Sequence, residues 1–385
     1  MNKYLFSSFS KILLLFLFWR IVLVLVMLVA VNFIPLGYKD RFLGGGPRNY
    51  SISPEIFSWA NFDGEHYLSI AIVGYRGLEQ AFFPVYPMLI SFFAKPFSID
   101  SLSTIISSTI VGLLISNIAM LFSLYFLWKL LRIDFSSKAV WLTIILLLVF
   151  PTSFYLGSLY NESLYLLLSL ISFYFARTGK WFWAGIFGAI SSATRIFGIL
   201  LLPVFLIEAY QQRAKFSKFF WVFLIPLGLG LYMLYQYILV GDPLAFYRLQ
   251  KIVGEQHQSG LTLLPQVYFR YLKMLTTVDI TNPIYQTIVL EFFVGILFFI
   301  LPLIGYFKKV RVAYLLYALL GFLSPTIQGS FSSVPRYILA FFPSFLVMAL
   351  FLDKFPRLLK ILIISASFIL LTFETILFIR GYWIA

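Results

Sequence analysis

Long apolar runs broken by short polar and basic punctuation carry the chain from near its start to its end. A run long enough to cross hydrocarbon must satisfy its backbone groups internally, which in a chain of this pattern means a helix. About eleven candidate transmembrane helices are predicted, at 12–34, 103–128, 139–155, 161–176, 181–194, 196–210, 219–240, 285–306, 312–327, 338–352 and 361–379. Pro35, rather than a small-residue cleavage motif, follows the first, so that span is expected to remain as a signal anchor. No internal repeat is visible. The expected fold is an all-α polytopic membrane protein with about 11 transmembrane helices, forming one integral membrane domain over 1–385.

Two connections are much longer than the others: 35–102, between the first two spans, and 241–284, between the seventh and eighth. Phe82–Lys95 is apolar, but as a helix it would reach only about 21 Å, short of a hydrocarbon core of about 30 Å. With Pro84, Pro87 and Pro96 around it, it is expected to lie along the membrane surface, so the large first extracytoplasmic loop carries interfacial helices.

Composition narrows the class. The chain is 61% hydrophobic and 11% charged, too few charges to coat a soluble fold of 385 residues, which excludes a soluble domain, a disordered chain and a simple nucleic-acid binder. The net charge of +14 has an orienting use: with the N-terminus inside, sixteen of the 29 basic residues fall in short cytoplasmic segments. No nucleic-acid partner is needed to explain it. Arg20, inside the first span, is expected to be structural, either snorkelling to the interface or paired with an acid. With no cysteine and two histidines, His66 and His257, thiolate chemistry and a histidine-rich zinc centre are excluded.

Several middle spans are only 14–16 residues long, and their basic cytoplasmic turns must stay near water and headgroups. Their opposite turns are then recessed, and irregular backbone at that depth needs protein or a watery cavity around it. Those turns contain Asn161-Glu162, Thr194-Arg195 and Pro335-Arg336-Tyr337. Charges within a membrane are costly and usually functional, so Glu162, Arg195 and Arg336 form a candidate site in which one acid leaves a surplus cation suited to an anion. The structural alternative is a Glu–Arg pair that closes the bundle. In the first loop, Asp63-Gly64-Glu65-His66 opens a helix, where Asp63 is either a functional carboxylate or the helix cap. Two acids at that spacing are a weak metal signal, so no metal site is assigned, although a divalent ion is compatible. Trp59, Tyr67 and Tyr86 offer aromatic faces to a sugar, or interfacial packing.

These residues also carry a resemblance. Phe62-Asp63-Gly64-Glu65-His66-Tyr67 with Ile70-Ala71, Gly74-Tyr75, Phe82-Phe83-Pro84 and Pro87 resembles the first extracytoplasmic loop of the PIG-V-type mannosyltransferases, members of the GT-C glycosyltransferase superfamily. It continues through Phe150-Pro151-Thr152-Ser153, Tyr160-Asn161-Glu162-Ser163, Ala193-Thr194-Arg195 with Gly198, and Pro335-Arg336-Tyr337 with Pro343. Phe62 stands where these proteins often have Trp, and 241–284 matches no part of the pattern. The resemblance implies an enzyme that moves mannose or a similar hexose from a polyprenyl-phosphate donor, such as dolichol phosphate mannose, to an extracytoplasmic acceptor hydroxyl on a glycolipid, glycan or protein. It implies Asp63 as catalytic base. The chemistry is compatible: an inverting transfer needs one base, while a phosphate leaving group needs positive charge rather than a second acid. Arg336 first and Arg195 second are assigned to the donor phosphate. Glu162, Glu65, His66, Asn161 and Tyr337 are expected to bind substrate or support these groups.

Other classes are weighed by the same residues. A polymerase or ligase with a diphosphate-linked donor would want an arginine-rich late loop, and 241–284 holds only Arg248 and Arg270. A polytopic transporter or flippase of lipid-linked sugars could use Glu291 and Glu374 as ion-coupling acids, but lacks the expected pseudo-repeat. Compact loops without sorting tails lean toward a prokaryotic cell membrane, with membrane lipids around the bundle and the active site on the extracytoplasmic face.

Overall fold

The computed structural model describes residues 2–37, 43–253 and 262–384. His257 and the middle of the second large connection lie outside the described residues. Within them the chain is helical, with no strand. Each apolar stretch predicted as a span holds helix. Among the described residues, five helices are long and apolar enough to cross a membrane: Ser7–Phe33, Ser101–Leu131, Phe216–Val240, Ile284–Phe307 and Arg357–Ile379. Val334–Ala340 and Phe342–Leu352 together make a sixth, bent by 87°. Phe341 at the bend and Pro343 just after it end one helix and start the next. The other predicted spans are short: Ser137–Leu148, Glu162–Arg177, Trp181–Thr194, Ile196–Gln211 and Val312–Thr326. Length and composition support five or six crossings, fewer than the eleven expected.

Close helix contact comes from small residues. A Cβ on Gly228 would lie 1.8 Å from the Ala189 carbonyl oxygen, so Ile225–Val240 can press against Trp181–Thr194 only with glycine there. The hydroxyl of Ser192 donates to the Ile225 carbonyl at 2.6 Å across the same seam.

At the end assigned by the sequence to the cytoplasm, the charges do not simply sit in water as expected. Glu208 is fully buried and accepts from Arg177 at 3.1 Å and Arg311 at 2.9 Å, while Arg177 also reaches Asp134 at 2.6 Å. Four segments are tied together there, because a buried carboxylate is tolerated only with its charge matched. Arg20, expected to be structural, packs on an aromatic ring. Its guanidinium lies 4.3 Å over the Trp59 ring, which makes Trp59 a buried cation–π platform rather than a sugar-facing aromatic.

In the first large connection the described residues form the short helices Pro47–Ile52, Pro54–Phe57, Asp63–Val73 and Val85–Ala94, with the 3-10 turns Ser58–Ala60 and Glu79–Ala81 between them. Val85–Ala94 turns Tyr86 and Ile90 inward and leaves Met88, Phe92 and Phe93 exposed, the face a surface-lying helix presents to lipid. The second connection contributes Ala245–Val253 and Leu264–Thr277.

Candidate active site

The placement of Asp63 begins with the end of the 3-10 turn Ser58–Ala60 and the two residues that follow it. The Leu159 amide donates to the Trp59 carbonyl at 2.9 Å, the Tyr160 hydroxyl donates to the Asn61 carbonyl at 2.7 Å, and the Asn61 amide group donates to the Phe378 carbonyl at 2.8 Å. Segment 59–62 is thereby stitched to two other parts of the chain. Phe62 then adopts φ 58°, a backbone conformation rare for a non-glycine residue, and the helix Asp63–Val73 starts at the next residue. The capping alternative does not hold: Phe62 occupies the cap position and no side chain caps the helix. The Asp63 carboxylate instead accepts from Arg336 Nη1 at 2.7 Å.

Arg336 sits on the one-turn helix Val334–Tyr337, after Ser333 at φ 60°. Two contacts hold this turn. The Thr152 hydroxyl donates to the Pro335 carbonyl at 2.6 Å, and the Ser333 amide donates to Glu291 Oε1 at 3.1 Å. The other Glu291 oxygen accepts from the Tyr271 hydroxyl at 2.6 Å. Glu291 thus braces the turn that carries Arg336.

Arg195 is one extended residue, φ −158° and ψ 144°, between Trp181–Thr194 and the 3-10 turn Ile196–Leu200. That turn folds back so tightly that a Cβ on Gly198 would lie 2.3 Å from the Ser192 amide nitrogen. Arg195 Nη1 lies 2.8 Å from Glu162 Oε1 and donates to Asn161 Oδ1 at 3.2 Å, while the Asn161 amide group donates to the Thr194 carbonyl at 2.9 Å. Glu162, first residue of its helix, also lies 3.4 Å from Arg336 Nε. Tyr337 stands beside both cations, with its ring 4.9 Å from Arg195 and 5.0 Å from Arg336, and its hydroxyl accepts from Arg336 Nη2 at 3.3 Å. Tyr155 and Tyr160 add faces at 5.5 Å from Arg336.

The cluster corrects the expected charge count. Asp63 joins Glu162, so two carboxylates face two guanidinium groups and no surplus cation remains. The four groups are unequal in access: Asp63 is 31% exposed, Arg336 8% and Glu162 2%. Glu162 Oε2 has no hydrogen-bond partner among the described residues. All four, with Asn161, Tyr67 and Tyr337, line a cavity of about 520 Å³. Phe82, Phe83, Ile196, Phe197 and Leu200 make an apolar wall in the same cavity. The cavity thus sets a charged cluster beside an apolar wall. Burial first, and then the Glu162 carboxylate, hold the Tyr67 hydroxyl well above the usual phenol range, so it stays a proton donor.

Glu65 and His66 stand outside this group. Glu65 accepts from the Gly46 amide at 3.2 Å and braces the start of the first loop, and burial pushes its carboxyl up. His66 stacks on Phe82, ring centroids 4.7 Å apart, and does not line the cavity. Tyr86 is buried, its hydroxyl 2.9 Å from the Gly112 carbonyl oxygen, so of the three aromatics singled out only Tyr67 reaches the cavity. Among the described residues, no three His, Cys, Asp or Glu side chains converge as a metal site. Tyr247, Ser324 and Gln328 line the cavity without having been singled out by sequence. Tyr247 comes from the connection that matched no pattern, and its side chain type alone carried no signal among 24 tyrosines.

Three solved structures show a likeness along nearly the whole chain. Archaeoglobus fulgidus oligosaccharyltransferase, tethered with an acceptor peptide, aligns at 13% identity over 96% of this chain and 55% of its own, with a TM-score of 0.49. This chain therefore spans about half the length of that protein. ArnT from Cupriavidus metallidurans, bound to undecaprenyl phosphate, aligns at 12% identity over 95% of this chain and 76% of its own, also at 0.49. The archaeal oligosaccharyltransferase AglB from Archaeoglobus fulgidus, in complex with an inhibitory peptide and a dolichol-phosphate, aligns at 12% identity over 96% of this chain and 56% of its own, at 0.43. No curated protein matches the sequence. A family model described as Mannosyltransferase (PIG-V) matches residues 10–221, more than half of the chain and including Asp63, Glu162 and Arg195. The chain belongs to the family described as Mannosyltransferase (PIG-V).

Proposed function

We propose that the protein transfers mannose, with inversion, from a polyprenyl-phosphate donor to an extracytoplasmic acceptor hydroxyl, with Asp63 as base and Arg336 and Arg195 on the donor phosphate. The observation that carries this reading is the 2.7 Å pair between Asp63 and Arg336 inside a cavity that also holds Arg195 and Glu162. The donor phosphate takes the place of Asp63 on Arg336, since a guanidinium fork binds phosphate oxygens as readily as a carboxylate. The apolar wall receives the first part of the lipid chain. Glu162 Oε2 accepts from a sugar hydroxyl.

The step is balanced without a second acid. The acceptor oxygen forms a bond to the anomeric carbon as the bond from that carbon to the phosphate oxygen breaks. The bonding pair leaves on the phosphate, whose extra charge the two arginines stabilise, and the acceptor proton passes to Asp63. Each group then has one task.

Purified protein incubated with radiolabelled polyprenyl-phosphate mannose and a panel of acceptors tests this directly. Labelled product from wild type and none from Asp63→Asn, with donor binding kept, is the expected result. Transfer by Asp63→Asn at near wild-type rate would overturn the base assignment.

A further inference from the structure

Segment 327–333 joins Val312–Thr326 to the turn that carries Arg336, and it is held along one side by the helix Leu264–Thr277 and the stretch just before it. The Thr262 amide donates to the Ile327 carbonyl at 2.9 Å, and Arg270 Nη1 donates to the Gly329 carbonyl. The Tyr271 hydroxyl accepts from the Phe331 amide at 3.2 Å and lies 3.2 Å from the Ser330 hydroxyl. The rings of Tyr268 and Tyr271 each pack on the buried Phe331 ring at 4.9 Å. Val267 and Tyr271 share one face of the helix, as a spacing of four dictates, and both are buried, while Phe269 and Leu272 are exposed.

One of these contacts runs on to the guanidinium. The Tyr271 hydroxyl donates to Glu291 Oε2 at 2.6 Å, and Glu291 Oε1 accepts from the Ser333 amide at 3.1 Å. The Ser333 carbonyl in turn accepts from the Arg336 and Tyr337 amides at 3.1 and 3.0 Å. Ser333 needs that hold. Its φ of 60° is costly for a residue with a side chain and persists only where neighbours over-determine it. Arg336 must exchange Asp63 for a phosphate while its Nε stays near Glu162, so the aim of its backbone matters: a displacement of about 1 Å costs up to about 100-fold in rate.

We propose that Tyr271 is a positioning residue: through Glu291 it fixes Ser333 and so aims Arg336 at the donor phosphate. The proposal rests on the donor site inferred above and deepens it. Affinity at that site then depends on the second large connection, which lies beyond the residues 10–221 matched by the family model.

Binding of undecaprenyl phosphate to full-length protein in nanodiscs, read by microscale thermophoresis, tests this without turnover. Tyr271→Phe keeps the ring on Phe331 and removes only the hydroxyl, and it should raise Kd by about tenfold. Tyr268→Phe removes a hydroxyl from the same helix, the one that donates to the Gly295 carbonyl, and should leave Kd unchanged. In an Arg336→Ala background, Tyr271→Phe should weaken binding no further, since a residue acting through another loses its effect once that other is gone. Equal losses from Tyr271→Phe in both backgrounds would overturn the proposal. Hydrogen–deuterium exchange decides the same point if Arg336→Ala does not fold. Tyr271→Phe should speed exchange across 330–337 and leave Trp181–Thr194 at the wild-type rate; unchanged exchange across 330–337 would sink the proposal. In the transfer assay Tyr271→Phe should raise donor KM and leave acceptor KM alone. A wild type that neither binds undecaprenyl phosphate nor transfers mannose sinks the donor reading, while exchange still decides the brace. Transfer by Tyr271→Phe at the wild-type donor KM sinks the brace and keeps the reaction.

Discussion

Asp63 and Arg336 are 273 positions apart, yet their side chains share a hydrogen bond. Removing either has a different signature. Asp63→Asn keeps the shape and an acceptor oxygen for Arg336 but cannot take a proton, so kcat should fall by about 10²–10⁴-fold, the usual worth of a general base. Donor KM should change little, and a steady-state assay with labelled donor separates the two. Arg336→Ala removes a charge that grows in importance as the phosphate leaves, so a fall of about 10²–10³-fold in kcat with a raised donor KM is expected. Lysine at 336 should not restore it, because an ammonium cannot span Asp63 and a phosphate as a fork does. Glu65→Gln should leave transfer within about threefold, since Glu65 bonds Gly46 and changes away from the site act weakly. At this scale much was legible: residues with charge in recessed turns met in one cavity. Glu65, two residues on, points about 200° round the helix from Asp63 and bonds Gly46, while His66, three residues on and nearly in line with Asp63, is turned onto Phe82, a contact the sequence does not show. The neutrality of the cluster was hidden, because nothing in the sequence says that a loop carboxylate folds back onto a buried guanidinium.

The elements are arranged to hold short turns rather than long helices in place. Thr152 belongs to the Phe150-Pro151-Thr152-Ser153 run, and its hydroxyl is what anchors the Pro335 carbonyl. Thr152→Val keeps the volume and strands that carbonyl, which should cost about 1–3 kcal/mol. A lower melting temperature in detergent, with a raised donor KM, would show it. Gly228→Val should be more damaging to folding, because a side chain there collides with the backbone of the neighbouring helix at Ala189. Size-exclusion chromatography after mild heating should show an earlier loss of monodisperse protein. Helix positions could be read from hydropathy alone. The 87° bend between Val334–Ala340 and Phe342–Leu352, and the 3-10 turn after Arg195, could not, because hydropathy does not report backbone angles.

As a whole the chain is a bundle with one end tied by Glu208 to its arginines and the other end hollow. Because it has no cysteine, single introduced thiols report sidedness cleanly. Ile280→Cys, at the hollow end, should react with an impermeant maleimide on intact cells, and Ser217→Cys only after permeabilisation; the reverse pattern would invert the orientation. The closed Asp63–Arg336 pair has a consequence for life in a lipid sheet. Every phospholipid headgroup there is a rival anion, present in vast excess over any carrier. A vestibule whose charges already cancel exerts no long-range pull on that crowd. Only a guest that brings enough contacts of its own to prise the two side chains apart gains entry.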